Sequence, residues 1–221
     1  MRLALIHTSM VFVKVEMTMS DIFAEVMPDV ELVSIVDDSL LPDVMAAGHI
    51  TAAVQRRFTA YAKAAEVAGA HAAFSLCSSL GPAVDVARQE VDIPVIKIDD
   101  AMTDKAVEMA ESIGVVATAQ TTLGPTADLI RDKATARSKV VDVKQVLVEG
   151  AFELLMGGDR DAHDQRVHAA AVDLAPFVEV IVLAQASMTR LASSVEKEID
   201  LPVLTSPRLG IGYCKRLLDS L

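Results

Sequence analysis

Residues 74–82, Phe-Ser-Leu-Cys-Ser-Ser-Leu-Gly-Pro, place a cysteine between a buried strand and a helix. An apolar run from Ala70 to Leu76 predicts the strand, and a helical pattern from Ala83 to Glu90 follows Gly81-Pro82. Proline suits the first turn of a helix because its missing N–H would have no partner there. Cys77 therefore lies near a helix N-terminus, where free N–H groups and the helix dipole favour a thiolate or a bound anion.

Two interpretations of Cys77 are open at this point. Free cysteines are among the most buried residues, so Cys77 can be a structural residue of the core. Its place at the end of a strand, with Ser78 and Ser79 beside it, instead favours a functional thiol, because cysteine reactivity follows the local environment. Cys214, which lies in the predicted last helix, is expected to be a packing residue.

The composition argues against several classes of protein. A formal net charge of −11 argues against binding to nucleic acid or to an anionic membrane. Tryptophan is absent, so platforms for stacking bases are not expected. The two cysteines form neither a disulfide framework nor a zinc set. No run of 18 apolar residues indicates a membrane span, and the scarcity of cysteine suits a cytoplasmic protein.

Predicted strands and helices alternate along the whole chain, which is typical of parallel sheets covered by helices. The pattern predicts an early helix over Lys14 to Met27 and another that Gly124-Pro125 opens and that ends near Arg137. His163 and His168 lie on a charged predicted helix, and we expect both to be solvated.

An internal repeat divides the chain into two α/β halves. Asp92-Ile93-Pro94-Val95 recurs as Asp200-Leu201-Pro202-Val203, an offset of about 108 residues. At this offset Cys77 falls on Gln185. The sequence thus predicts two pseudo-symmetric halves, each a parallel sheet flanked by helices, with the site in the cleft between them. Their approximate bounds are 1–98 plus 207–221, and 99–206.

The candidate site residues follow the ends of the predicted strands, because ligands of open parallel sheets bind beyond the carboxyl ends of the strands. Each hydroxyl among them has an alternative role as a helix N-cap. His7 also has two possible roles. It can be a hydrogen-bonded residue at a strand end, or it can bind substrate or act as an acid–base group. Besides Cys77 and Gln185 the candidates are His7, Thr8, Ser9, Ser78, Ser79, Thr118, Gln120, Ala186 and Ser187.

With these motifs the chain resembles the Asp/Glu/hydantoin racemase superfamily, which also contains maleate isomerase and arylmalonate decarboxylase. The resemblance rests on Cys-Ser-Ser in the first half and on Leu-Ala-Gln-Ala-Ser-Met at the matching strand end of the second. Racemising members carry one cysteine in each half. Cys77 matches the first, but Gln185 stands at the second, and Gln120 stands where relatives often carry a substrate-binding tyrosine.

The missing second thiol bears on the reaction that the resemblance implies. Inverting a stereocentre needs a base on one face and an acid on the other, and an amide does neither near pH 7. We therefore expect a cofactor-independent isomerase that moves a carbon-bound proton on a small carboxylate or hydroxy-carbonyl compound, with Cys77 as acid/base. The alternatives are a racemase or epimerase with another second base such as His7, a decarboxylase, and a ligand-binding protein that has lost catalysis.

The expected partner is a small molecule, and no nucleic-acid, membrane or metal partner is predicted. The chain contains no P-loop, dinucleotide glycine motif or metal-ligand cluster, so no cofactor is expected. The substrate is expected to be anionic, and a homo-oligomer is compatible with the sequence.

Overall fold

The computed structural model of the protein describes residues 1–10 and 18–221. The chain forms two compact units, one made of Met1–Ile98 with Pro207–Leu221 and the other of Asp99–Ser206. The first part of the helix predicted over Lys14 to Met27 lies outside the described residues. The described part of that helix runs from Thr18 to Val26.

The first unit contains a four-stranded parallel sheet with the strand order β2-β1-β3-β4. Its strands are β1 (Arg2–His7), β2 (Glu31–Val36), β3 (Ala72–Ser75) and β4 (Val95–Lys97). Its helices are α1 (Thr18–Val26), α2 (Leu40–Ala47), α3 (Ala52–Val67) and α4 (Gly81–Ala87). A 3₁₀ turn, Ser78–Leu80, precedes α4. The last helix of the chain, α10 (Ser206–Ser220), returns to this unit.

The second unit repeats this topology, with the strand order β6-β5-β7-β8 and all neighbours parallel. The strands are β5 (Ser112–Ala117), β6 (Asp142–Leu147), β7 (Val180–Leu183) and β8 (Val203–Thr205). The helices are α5 (Asp100–Met109), α6 (Gln120–Ala136), α7 (Ala151–Met156), α8 (Arg160–Leu174) and α9 (Ala192–Ile199). Two 3₁₀ segments, Ala175–Phe177 and Ala186–Leu191, flank β7.

Apolar side chains fill the space between each sheet and its helices. All four residues of β3 and all four of β7 are buried, as expected for central parallel strands that are covered on both faces. In the first unit Phe23 of α1 meets Phe74 of β3 edge to face, with ring centroids 6.4 Å apart. Each unit thus has a core of its own, which fixes the strand ends that carry the candidate site.

Two local predictions need correction. The helix expected to open at Gly124-Pro125 begins at Gln120 instead, and Pro125 lies inside it. The first turn is already closed before the proline, because the N–H groups of Thr122 and Leu123 both donate to the carbonyl of Ala119. The sequence interpretation also missed α2, which follows Asp37 and Ser39 directly. Among the described residues no helix is long and apolar enough to cross a membrane.

Candidate active site

Cys77 lies at the strand-to-helix switch that the sequence predicts. It follows β3 with extended backbone angles, φ −143° and ψ 116°, and the 3₁₀ turn begins at the next residue. Pro82 occupies the first turn of α4. Cys77 is partly exposed, while Ser78 and Ser79 are buried beside it. The fold therefore presents the thiol at the carboxyl end of the sheet of the first unit.

The environment of the Cys77 thiol differs from the sequence prediction. Burial raises the pKa of Cys77, and this effect exceeds the opposing hydrogen bonds from the hydroxyl of Thr8, from the N–H and hydroxyl of Ser79 and from the N–H of Leu80. The nearby helix was expected to favour the thiolate. Instead the resting thiol is neutral at pH 7, and several donors surround the sulfur where a thiolate would form.

Thr8 is held in place by the main chain around it. Its carbonyl accepts a hydrogen bond of 3.0 Å from the N–H of Leu41 in α2. The carbonyl of the preceding residue, His7, accepts a hydrogen bond of 3.1 Å from the N–H of Asp37. The start of α2 therefore fixes the end of β1, and with it the hydroxyl that reaches Cys77.

Ser9 and His7 differ from Thr8 in their surroundings. The hydroxyl oxygen of Ser9 is buried and has no hydrogen-bond partner within residues 1–10 and 18–221. His7 Nε2 lies 3.2 Å from the hydroxyl of Ser34 on β2. Burial lowers the pKa of His7, which keeps the imidazole neutral at pH 7. Its ring lines an apolar cavity of about 450 Å³ together with Phe23 of α1.

Gln185 occupies in the second unit the place that Cys77 occupies in the first. It follows β7 with extended angles, φ −122° and ψ 135°, and precedes the 3₁₀ segment that begins at Ala186. Its side-chain oxygen Oε1 accepts two hydrogen bonds from Thr118, 2.6 Å from the backbone N–H and 2.9 Å from the hydroxyl. The structure thus joins two of the residues that the sequence singled out.

The remaining candidates of the second unit lie around this pair. Gln120 is the first residue of α6 and is exposed, whereas Ala186 and Ser187 are buried. The carbonyl of Ser187 accepts a hydrogen bond from Arg190. Within this 3₁₀ segment, the side chain of Arg190 near the end therefore bonds back to the main chain near the start.

Arg190 also ties this segment to α8, a contact that sequence reasoning missed. Its guanidinium donates to both oxygens of Asp164, with Nε 2.9 Å from Oδ2. His163, which we expected to be solvated, is fully buried and lies 2.7 Å from Asp164 through Nδ1. Burial raises the pKa of Asp164, but bonds and charges from Arg190 and His163 lower it below its ordinary value. The carboxylate is therefore charged at pH 7.

Comparison with known proteins identifies the family. The family model for Asp/Glu/hydantoin racemases matches residues 13–214, and the chain belongs to this family. No curated protein sequence matches the chain. Among the residues that the structure describes, no group of three or more His, Cys, Asp or Glu side chains could hold a metal ion.

Solved structures share the fold. A glutamate racemase of Bacillus anthracis, isoform RacE1, superimposes with a TM-score of 0.71 at 15% identity, covering 99% of this chain and 81% of that one. An allantoin racemase of Klebsiella pneumoniae gives 0.68 at 17% identity, covering 99% and 88%. An arylmalonate decarboxylase gives 0.62 at 14% identity, covering 98% and 92%. At these identities the likeness concerns the fold alone, which is the two-half α/β fold predicted from the sequence.

Proposed function

We propose that this protein is a cofactor-independent isomerase that moves a carbon-bound proton on a small carboxylate or hydroxy-carbonyl compound, with Cys77 as acid/base. The observation that carries the proposal is the environment of the thiol. Cys77 is neutral at pH 7 and so can donate a proton. The donors on Thr8, Ser79 and Leu80 stabilise the thiolate that remains after the transfer.

The proposed proton transfer is reversible. In one direction the Cys77 thiol first loses its proton to water, and the resulting thiolate takes a proton from the carbon next to a carbonyl or carboxyl group, so that the C–H bond breaks and the S–H bond forms. The electron pair of the C–H bond moves into the adjacent C=O group and gives an enolate or enediol. In the other direction the thiol returns the proton to carbon. When the substrate is a hydroxy-carbonyl compound and the proton returns to the neighbouring carbon, the hydroxyl proton of the first carbon moves to the oxygen of the second, and the result is a 1,2-shift.

A one-base reaction is favoured over racemisation by two thiols. The position equivalent to Cys77 in the second unit carries Gln185, whose amide exchanges no proton with carbon near pH 7. Racemisation would need another base to serve the second face of the substrate carbon. A 1,2-proton shift needs one acid/base group only, and Cys77 supplies it.

Decarboxylation is a second candidate, and the neutral state of Cys77 favours it. When a malonate-type substrate loses CO₂, the C–C bond breaks and its electron pair stays on the α-carbon. The Cys77 thiol then protonates that carbon, and the thiolate regains a proton from water. This reaction begins with a protonated thiol, which is the state that burial favours here. We also propose a cytoplasmic location, since both cysteines are thiols and not disulfide-bonded, which suits a reducing compartment.

The test is a screen of small carboxylates and hydroxy-carbonyl compounds in D₂O, read by NMR for deuterium on carbon or for loss of CO₂. Wild-type protein should catalyse exchange or decarboxylation of at least one compound. Cys77→Ser should lose roughly 10²- to 10⁴-fold of the rate, because the serine hydroxyl is a much weaker acid. Cys214→Ser is the matched control and should keep the wild-type rate, since Cys214 is a buried packing residue of α10.

Three outcomes would contradict the proposal. Near-full activity of Cys77→Ser would remove Cys77 from the reaction. Binding of compounds without any exchange or decarboxylation would mark a ligand-binding protein that has lost catalysis. Deuterium on both faces of a stereocentre would indicate a racemase with a second base.

A further inference from the structure

The two units contain the same pair of contacts at equivalent positions. In the first, the hydroxyl of Thr8, just past β1, bonds to Cys77, just past β3. In the second, the hydroxyl of Thr118, just past β5, bonds to Gln185, just past β7. One pair ends in a sulfur and the other in an amide oxygen, so threonines at equivalent positions of the two units bond to two chemically different groups.

The contacts of Thr118 decide which way the amide of Gln185 faces. A backbone N–H can only donate, so the group 2.6 Å from the nitrogen of Thr118 must be the oxygen of the amide. The Thr118 hydroxyl donates to the same oxygen at 2.9 Å. Both bonds hold Oε1 toward Thr118, and the amide nitrogen, which carries two donor hydrogens, occupies the other arm of the side chain.

We infer that Gln185 serves as a fixed hydrogen-bond donor for a substrate oxygen, a carboxylate or an enolate oxygen, and that Thr118 is the residue that positions it. This inference deepens the proposed function and rests on it, because it names the kind of substrate atom, an oxygen acceptor, that Gln185 would bind. The side-chain oxygen of Gln185 already accepts two hydrogen bonds from Thr118. Gln185 can therefore bind a substrate only through its N–H groups, which need an oxygen lone pair as the acceptor.

The inference also gives Thr118 a positioning task. Its hydroxyl donates to Gln185, so under this inference Thr118 orients the amide and does not itself contact the substrate. Thr118 is buried, at 5% exposure, and both its donors point to one oxygen. Its contribution to binding therefore passes through the amide.

The experiment compares two substitutions that separate donation from packing. Gln185→Glu keeps an oxygen for both Thr118 donors but replaces the amide nitrogen with a charged oxygen. Gln185→Met removes both functions while keeping a side chain of similar length. Gln145→Glu is the control for added charge, since Gln145 is an exposed residue of β6 in the same unit.

The probes are malonate, D-glutamate and L-lactate, measured by calorimetry and by the side-chain ¹⁵N–¹H signals of glutamine. At least one probe should bind wild-type protein and shift the Gln185 amide signals, which are assigned by their loss in Gln185→Glu. That variant should keep the wild-type melting temperature but weaken binding about 10- to 100-fold, the scale of losing one hydrogen bond to a charged group. Gln185→Met should weaken binding and stability together. Thr118→Ser should bind as wild type, and Thr118→Val more weakly.

The inference is overturned if Gln185→Glu binds the probes like wild type, if the Gln185 signals do not shift, or if wild-type protein binds none of the three probes. Its failure is separable from failure of the proposed function. Deuterium exchange that depends on Cys77 but not on Gln185 would remove this inference alone, and probe binding at Gln185 without any exchange would remove the isomerase alone.

Discussion

At the scale of single residues, Cys77 gives a measurable pH dependence. Only the thiolate reacts with iodoacetamide, so the alkylation rate follows the ionisation of the thiol. Because burial raises the pKa of Cys77, we expect the midpoint of the rate profile above the ordinary thiol value of about 8.5. Thr8→Val should move the midpoint higher still, since it removes a hydrogen bond that lowers the pKa. The profile is measured by mass spectrometry of the Cys77 peptide.

The control for this profile is Cys214→Ser, which should leave it unchanged because Cys214 is fully buried in the wild-type protein. A midpoint below about 8.5 would contradict the account of the neutral thiol. An unchanged midpoint in Thr8→Val would show that the hydroxyl of Thr8 does not act on the sulfur.

A residue's position or contact could be predicted from the sequence when the residues involved are neighbours along the chain, and not when they are far apart in it. The position of Cys77 between a strand and a helix was predictable, because strand end and helix start are adjacent in the chain. The contact between Arg190 and Asp164 joins residues 26 positions apart, and no local pattern indicates it. His163 was misjudged from its charged neighbours, although His163, Val167, Ala171 and Leu174 share the buried face of α8.

At the scale of secondary-structure elements, α10 fits against the first unit through a glycine. A Cβ at Gly210 would lie 2.6 Å from the carbonyl oxygen of Ile98 and 3.0 Å from the ring of Phe74. Gly210→Ala should therefore destabilise the protein by about 1–3 kcal/mol, the usual range for overpacking. Gly212 lies in the same helix, where an added Cβ meets only the flexible end of Arg216 at 3.6 Å.

Gly212→Ala is thus the matched control, and it should stabilise the protein by about 0.5–1 kcal/mol because alanine loses less backbone entropy in a helix than glycine. Urea unfolding of the two variants beside wild type measures both changes. Equal effects of the two substitutions would contradict close packing of α10 at Gly210.

Element positions were predictable where one signal dominated. The apolar run from Ala70 to Leu76 predicts a strand, and β3 lies within that run at Ala72–Ser75. The start of α6 was placed too late because Gly124-Pro125 resembles a helix start. The bonds from the first turn to Ala119, which begin the helix at Gln120, depend on backbone geometry that no residue type specifies.

At the scale of the whole molecule, the repeat was the most informative signal. β3 begins at residue 72 and β7 at residue 180, which reproduces the predicted offset of about 108 residues. Both sheets also have the same strand order. The alternation of strands and helices predicts parallel sheets but does not by itself assign the last helix to a half. The bounds predicted from the sequence group residues 207–221 with the first half, and α10 lies in the first unit.

The division into units leads to a prediction about folding. The second unit is one continuous segment with its own sheet and its own buried cluster, which includes Val116, Val167 and Ile181. The first unit is completed by residues 207–221, whose Ile211, Cys214 and Leu218 are buried.

We therefore expect fragment 99–206 to unfold cooperatively as a separate protein, measured by circular dichroism and by dispersion of amide NMR signals. Fragment 1–98 should reach a comparable state only when a peptide of residues 207–221 is added, because without α10 one face of its sheet loses those apolar contacts. Cooperative folding of 1–98 without the peptide would show that α10 is dispensable, and an unfolded 99–206 fragment would show that the second unit depends on the first.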